Sequence, residues 1–138
     1  MIEANKVSKY YGSGPSRITA LEEVNFSIDA GERVAITGRS GSGKSTLLNL
    51  LAGLDRPDSG VLTVASQRLD KMTRREMAKY RLDTVGMIFQ AFQLIPQRTA
   101  FQNVELPLIL HGRAKVADPH DLRGSFSGYH RRSLLDLD

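Results

Sequence analysis

The stretch Gly38-Arg39-Ser40-Gly41-Ser42-Gly43-Lys44-Ser45-Thr46 sets glycines, a lysine and two adjacent hydroxyls at a spacing that suits an anion. Gly38, Gly41 and Gly43 carry no Cβ and reach positive φ easily, so successive N–H groups can turn inward around phosphate oxygens. Lys44 adds a full positive charge directed at the β- and γ-phosphates of a nucleotide, and the Ser45 hydroxyl is suited to ligating Mg²⁺. The pattern is G-x-x-x-x-G-K-[ST]. A glycine-rich turn without a ligand is the bland alternative, but a chance match in a chain this short has odds of about 1% or less.

A loop of this kind needs a strand before it and a helix after it. Val34-Ala35-Ile36 reads as a short buried strand, and Thr46-Leu47-Leu48-Asn49-Leu50-Leu51 as a helix that begins near Gly43. The unpartnered first amides of such a helix contribute roughly half a positive charge at the loop. Upstream, Val7 to Pro15 reads as a strand end entering a turn, with Tyr10 and Tyr11 near the turn. Val24 to Ile28 alternates apolar and polar as a half-buried strand does, and Asp29-Ala30-Gly31-Glu32 is a turn. An exposed tyrosine at this place can stack on a nucleobase or can simply pack on an edge strand.

Downstream, Gly53 is placed to cap the loop helix and Pro57 keeps it from resuming. Asp58-Ser59-Gly60 reads as a turn, Val61 to Val64 as a strand, and Thr73-Arg74-Arg75-Glu76 as a capping box opening a helix toward Arg81. Thr84 to Phe89 is a continuous apolar run, expected as a strand buried on both faces, with Gln90 at its carboxyl end. A glutamine there can ligate a metal through its carbonyl or orient a water through its amide. Thr99-Ala100-Phe101-Gln102 is a second capping box, and its helix is expected to end or kink at Pro107. Strands alternating with helices indicate an α/β fold.

The composition bounds the rest. At 138 residues and 41% hydrophobic, the chain fits one globular domain or part of a larger one. Leu47 to Leu54 is too short for a membrane helix and is interrupted by Asn49 and Gly53; the start, Met1 to Lys6, lacks a signal peptide's apolar segment, so a cytoplasmic location is expected. The absence of cysteine excludes disulfides and thiolate zinc sites. A net charge of +4 raises the question of nucleic acid. Lys71, Arg74, Arg75, Lys79 and Arg81, however, are interleaved with Asp70, Glu76 and Asp83, which is the pattern of a solvated helix face, so no nucleic-acid partner is expected. His120 and His130 lack the spacing of a metal site.

From about Ile2 to Arg113 the chain resembles the first part of an ABC-transporter ATP-binding subunit. The likeness is densest from Gly31-Glu32 through Asp55-Arg56-Pro57-Asp58-Ser59-Gly60, and again from Val85 through Gln90 to Glu105-Leu106-Pro107-Leu108. Phe92-Gln93-Leu94-Ile95-Pro96 followed by Asn103-Val104-Glu105-Leu106-Pro107-Leu108 resembles the lipoprotein-releasing and macrolide-exporting branch. The resemblance implies ATP and Mg²⁺ as cofactors. It makes Tyr11 the aromatic that stacks on adenine, Gly38 to Thr46 the phosphate loop, with Arg39, Ser40 and Ser42 contributing mainly backbone amides, and Gln90 the residue that senses Mg²⁺ and the γ-phosphate. It further implies a membrane permease and a second ATP-binding subunit as partners, and a peripheral position on the inner face of the cell membrane.

The departures from the family matter equally. Its Leu-Ser-Gly-Gly-Gln signature, its Walker B strand ending in Asp-Glu and its switch histidine do not occur here. Ser125-Phe126-Ser127-Gly128-Tyr129 and Leu134-Leu135-Asp136-Leu137-Asp138 are only faint echoes, for which a truncated or frame-shifted reading frame accounts. The expected architecture is therefore a P-loop nucleoside-triphosphate-binding core with N-terminal antiparallel strands, incomplete, over residues 1–112, followed by an atypical and poorly ordered tail over 113–138. Strands implied to lie between Val34–Ile36 and Val85–Phe89 in the sheet are missing, which leaves apolar faces uncovered. Hydrolysis is expected to be weak or absent in this chain alone. A non-enzymatic fragment that docks on a permease through Gln90 to Pro107, or on an intact subunit, is the second expectation. A GTPase is disfavoured, because no Asn-Lys-x-Asp element is present.

Overall fold

Two long strands dominate the N-terminal part of the chain. β1 (Ile2–Tyr11) and β2 (Ile18–Ile28) pair antiparallel, with Ile2 opposite Ile28 and Tyr11 opposite Ile18. In this computed structural model the described residues are 1–91, 93–110 and 112. The chain divides into two compact units, Met1–Arg81 and Leu82–Asp138.

In the first unit, β3 (Ser59–Val64) and β4 (Gln67–Arg68) complete an antiparallel sheet of order β2-β1-β3-β4. Ala65 and Ser66, at φ +48° and +64°, form the two-residue turn of the β3–β4 hairpin, whose geometry matches the twist of the strands. Ser59 and Gly60 belong to β3 rather than to a turn, which corrects the sequence reading. The register slips between Asn5 and Ser8, and there Gly60 lies so close to the Lys6 carbonyl that a Cβ would collide with it. Glycine at this point serves a bulge, and the chain turns earlier, over Asp55 to Asp58.

Val7, Leu50, Leu62, Leu69 and Tyr80 are the largest side chains of the first unit's core, all essentially out of solvent. Helix α1 (Lys44–Leu51) ends as expected at Gly53: Leu54 N–H donates to Asn49 O at 2.9 Å and Gly53 N–H to Leu50 O at 3.0 Å, so the last carbonyls are satisfied. Helix α2 (Arg74–Thr84) opens on the expected capping box, in which Glu76 N–H donates to Thr73 Oγ1 at 3.2 Å and Thr73 N–H to Glu76 Oε2 at 2.7 Å. Arg74, Arg75 and Lys79 face solvent while Met77 and Tyr80 are buried, as a charged amphipathic face requires.

Tyr80 ties the two helices together. Its hydroxyl donates to Leu51 O at 2.6 Å, and Arg81 Nη1 donates to Gly53 O at 2.7 Å. Burial pushes the Tyr80 phenol up to about 12. A folded-state value above the unfolded one means that this contribution is complete below about pH 10 and is lost as pH rises toward 12. Tyr80→Phe is expected to cost about 0.5–1.5 kcal/mol at pH 7, with Leu51 O losing its donor. The variant should also show a shallower loss of stability between pH 10 and 12, checked by urea denaturation across that range.

Neither Val34–Ile36 nor Val85–Phe89 is a strand, contrary to the sequence reading. Val34, Ile88 and Phe89 are exposed, Ile88 at 63%. A doubly buried strand exists only where neighbours complete its ladder and cover both faces. Among the described residues no strand pairs with either segment.

In the second unit, α3 (Ala100–Leu110) opens on its expected capping box, with Gln102 N–H donating to Thr99 Oγ1 at 3.2 Å and Thr99 N–H to Gln102 Oε1 at 3.0 Å. Asn103 fastens the preceding segment: Ile95 N–H donates to Asn103 Oδ1 at 2.8 Å, and Asn103 Nδ2 donates to the carbonyls of Ile95, Arg98 and Thr99. The helix continues through Pro107 to Leu110 instead of ending there. The missing N–H removes one helical bond, and full burial of Leu108 one residue further on offsets part of that cost. His120, His130 and the two tail echoes lie outside the described residues.

Candidate functional site

Gly43, at φ +87°, sits at the N-terminus of α1, and the first backbone bond onto it runs from Leu47 N–H to Gly43 O at 2.8 Å. The amides of Lys44, Ser45 and Thr46 thus precede any acceptor inside the helix and remain available to a ligand. Gly41, at φ +80°, carries the loop around, and Ser42 N–H closes its near side on Arg39 O at 3.2 Å. Gly38 through Ser42 are exposed, so the concavity opens to solvent.

The Lys44 ammonium donates to Gly38 O and to Arg39 O, both at 2.8 Å, and lies 3.4 Å from Ser42 Oγ. The side chain is therefore folded back over the first limb of the loop. Among the described residues no carboxylate is paired with Lys44, so its charge is uncancelled. Free helix amides, an uncancelled ammonium and the exposed Ser45 hydroxyl together suit a polyphosphate that arrives with a hydrated cation.

The loop is seated on the sheet. A Cβ on Gly43 would collide with the Ala20 carbonyl oxygen and would lie 2.8 Å from Leu21 Cδ2, so glycine lets the helix start abut β2. Leu21 is the partner of Lys9 in β1, and Tyr11 ends that same strand. Tyr11 and Gly38–Thr46 are thereby carried by one ribbon. Gln90 is exposed and lies in the second unit.

Around Tyr11 the structure shows a network to which the sequence reading gave no role. The Tyr11 hydroxyl donates to Asp55 Oδ2 at 3.0 Å, and Asp55 Oδ1 accepts from Lys9 Nζ at 2.8 Å and from Arg56 N–H at 2.7 Å. Lys9 is 8% exposed and also donates to Arg56 O at 2.8 Å. Asp58 accepts from Tyr10 N–H at 2.7 Å, and its own N–H donates to Ser8 O at 2.9 Å. Burial pushes the Asp55 carboxyl up, but the bonds from Lys9, Arg56 and Tyr11 outweigh it and hold the group below its ordinary value. Asp55 and Arg56 had stood out only as part of a family-like stretch, and Pro57 and Asp58 only as a helix stop and a turn. The signal that could have found the network is a lysine two residues before the tyrosine, with an acid just beyond the loop helix. A shallow hollow of about 410 Å³ adjoins the network, lined by Tyr10, Gly12, Ser13, Gly14, Arg17 and Asp58. It excludes the phosphate loop.

Known proteins of one family are similar to this chain. Residues 21–134 match the family model described as ABC transporter. An ABC transporter ATP-binding protein of Methanocaldococcus jannaschii, MJ1508, is 48% identical over 83% of this chain and 51% of its own length. The macrolide export ATP-binding/permease protein MacB of Hyphomonas neptunium is 44% identical over 83% of this chain and 18% of its own. The lipoprotein-releasing system ATP-binding protein LolD of Chromohalobacter salexigens is 38% identical over 83% of this chain and 48% of its own. A solved dimeric structure of the ATP-binding cassette MJ0796 bound to ADP and Pi superposes with a TM-score of 0.80 at 41% identity, covering 90% of this chain and 53% of that one. The chain thus spans about half the length of the separate ATP-binding relatives and about a fifth of the ATP-binding/permease protein. No helix among the described residues is long and apolar enough to cross a membrane. With most of its length matched by one family model and its fold shared with a solved ATP-binding cassette, the chain belongs to the ABC-transporter family.

Proposed function

We propose that this chain binds Mg²⁺-ATP through Gly38 to Thr46 and serves as the nucleotide-binding part of a subunit that energises export across the cell membrane. The observation that supports it most is the uncancelled Lys44 ammonium over a loop whose helix amides are free. Lys44 would meet the β- and γ-phosphates, the Gly43 to Thr46 amides would surround the β-phosphate, and Ser45 would ligate Mg²⁺. Tyr11 would stack on adenine, and Gln90 would be the cation-sensing residue that the family resemblance implies. Among the described residues no cluster of acids or histidines could hold a metal by itself, so the cation would enter with the phosphates.

Phosphoryl transfer depends on positioning and charge stabilisation, and loss of a water-orienting group costs orders of magnitude in rate. This sequence carries no signature motif and no Walker B glutamate, so hydrolysis by this chain alone would be slow or absent. Its partners would be a permease and a second ATP-binding subunit, and its place peripheral on the inner face of the membrane. Exposed Ile88, Phe89 and Leu94, around Gln90, favour a permease contact in that segment. Equilibrium dialysis against labelled ATP tests the reading: uptake should require Mg²⁺, and absence of uptake by folded protein would refute it.

A further inference from the structure

Tyr10 and Tyr11 are adjacent, yet the structure treats their rings differently. The Arg17 guanidinium lies 3.7 Å from the centroid of the Tyr10 ring and covers one of its faces. Tyr11 is 40% exposed, with its hydroxyl tethered to Asp55 and the Lys9 ammonium 5.3 Å from its ring centroid. Both tethers converge on one group, since Lys9 and Tyr11 each donate to the same carboxylate, on different oxygens.

We propose that Lys9 and Asp55 are positioning residues for Tyr11, holding its ring in one rotamer with one face against the ammonium and the other presented to the adenine of ATP. The proposal rests on the reading of Tyr11 as the base-stacking residue. A stacking platform gains most when it loses no rotational freedom on binding, and an exposed tyrosine at a strand end has that freedom unless something removes it. Here the hydroxyl is anchored at one end and the ring face is occupied on one side. The anchor is rigid as well: Lys9 is buried, and Asp55 follows directly on the cap of α1, where its N–H donates to Asn49 O at 3.3 Å. The helix that starts at the phosphate loop thus ends at the clamp on Tyr11, and the base platform and the phosphate cradle are tied through α1 as well as through the β1–β2 ribbon.

The test separates base from phosphate. Affinities for Mg²⁺-ATP and for Mg²⁺-tripolyphosphate, which has no base, are measured by equilibrium dialysis on the chain and on Tyr11→Phe, Asp55→Asn and Tyr11→Ala. Tyr11→Phe keeps the ring and removes only the tether, at an exposed position where folding is not at stake. Tyr11→Phe and Asp55→Asn are each expected to weaken ATP binding roughly three- to tenfold with tripolyphosphate unchanged within twofold, and the double variant should lose little more than either single one. Equal losses for both ligands would show general loosening and overturn the proposal. So would unchanged ATP affinity in Tyr11→Phe and Asp55→Asn while Tyr11→Ala loses it. If Tyr11→Ala also leaves ATP binding intact, the base-stacking reading of Tyr11 falls and the positioning role falls with it, while the phosphate loop stands.

Discussion

Replacing Lys44 with alanine is expected to weaken ATP binding ten- to a hundredfold or more while leaving the fold intact. In the free chain the ammonium contacts only two loop carbonyls and a serine hydroxyl, all exposed, so water can take over those acceptors when the side chain is removed. With a triphosphate in place the same ammonium would make charge-assisted bonds worth about 1.5–3 kcal/mol each, which corresponds to roughly a tenfold to hundredfold change in dissociation constant. Because the loop is open, part of this attraction is screened, and the difference between the chain and the variant should shrink as salt is raised. Titration of both proteins with labelled ATP at two ionic strengths, with a melting curve for each, checks the claim. Equal affinities would remove Lys44 from the site.

Gly43→Ala should act on the fold and on binding together. The position is at φ +87°, which costs an alanine about 1–2 kcal/mol, and the new Cβ would meet the Ala20 carbonyl and Leu21 Cδ2. The backbone oxygen cannot rotate aside, so β2 and the start of α1 must separate, adding about 1–3 kcal/mol of overpacking strain. A total loss of roughly 2–5 kcal/mol is expected, with ATP binding weakened beyond what partial unfolding explains. Gly31→Ala is the control. Gly31 has the same φ of +87° and nothing within 4 Å of a Cβ, so it should lose only the backbone term. Urea midpoints that fall equally in the two variants would show that the Ala20 contact is not what makes glycine necessary.

Local chemistry was legible where it needs no distant partner. The loop glycines, the helix start at Gly43, the cap at Gly53 and both capping boxes depend on residues within a few positions of each other, and each forms as read. The strands at Val34–Ile36 and Val85–Phe89 were read from apolar content alone. Such content states only that a segment is suited to burial, whereas a strand also requires a ladder on its edges. Pro107 was read as a stop or a kink because its missing N–H weakens a helix; the helix does not stop there, and α3 runs on to Leu110 with Leu108 fully buried.

Residue type and close spacing alone determined the glycine turns of the loop at Gly38 to Thr46 and the helix start behind it, because a turn of consecutive amides is written in consecutive residues. Only the tertiary structure decided how Tyr11 is held: Lys9 and Asp55 are separated along the chain and meet because α1 returns the chain to the end of β1. It also decided which glycine is indispensable, because the oxygen that Gly43 must avoid belongs to another strand, and no local pattern carries that information.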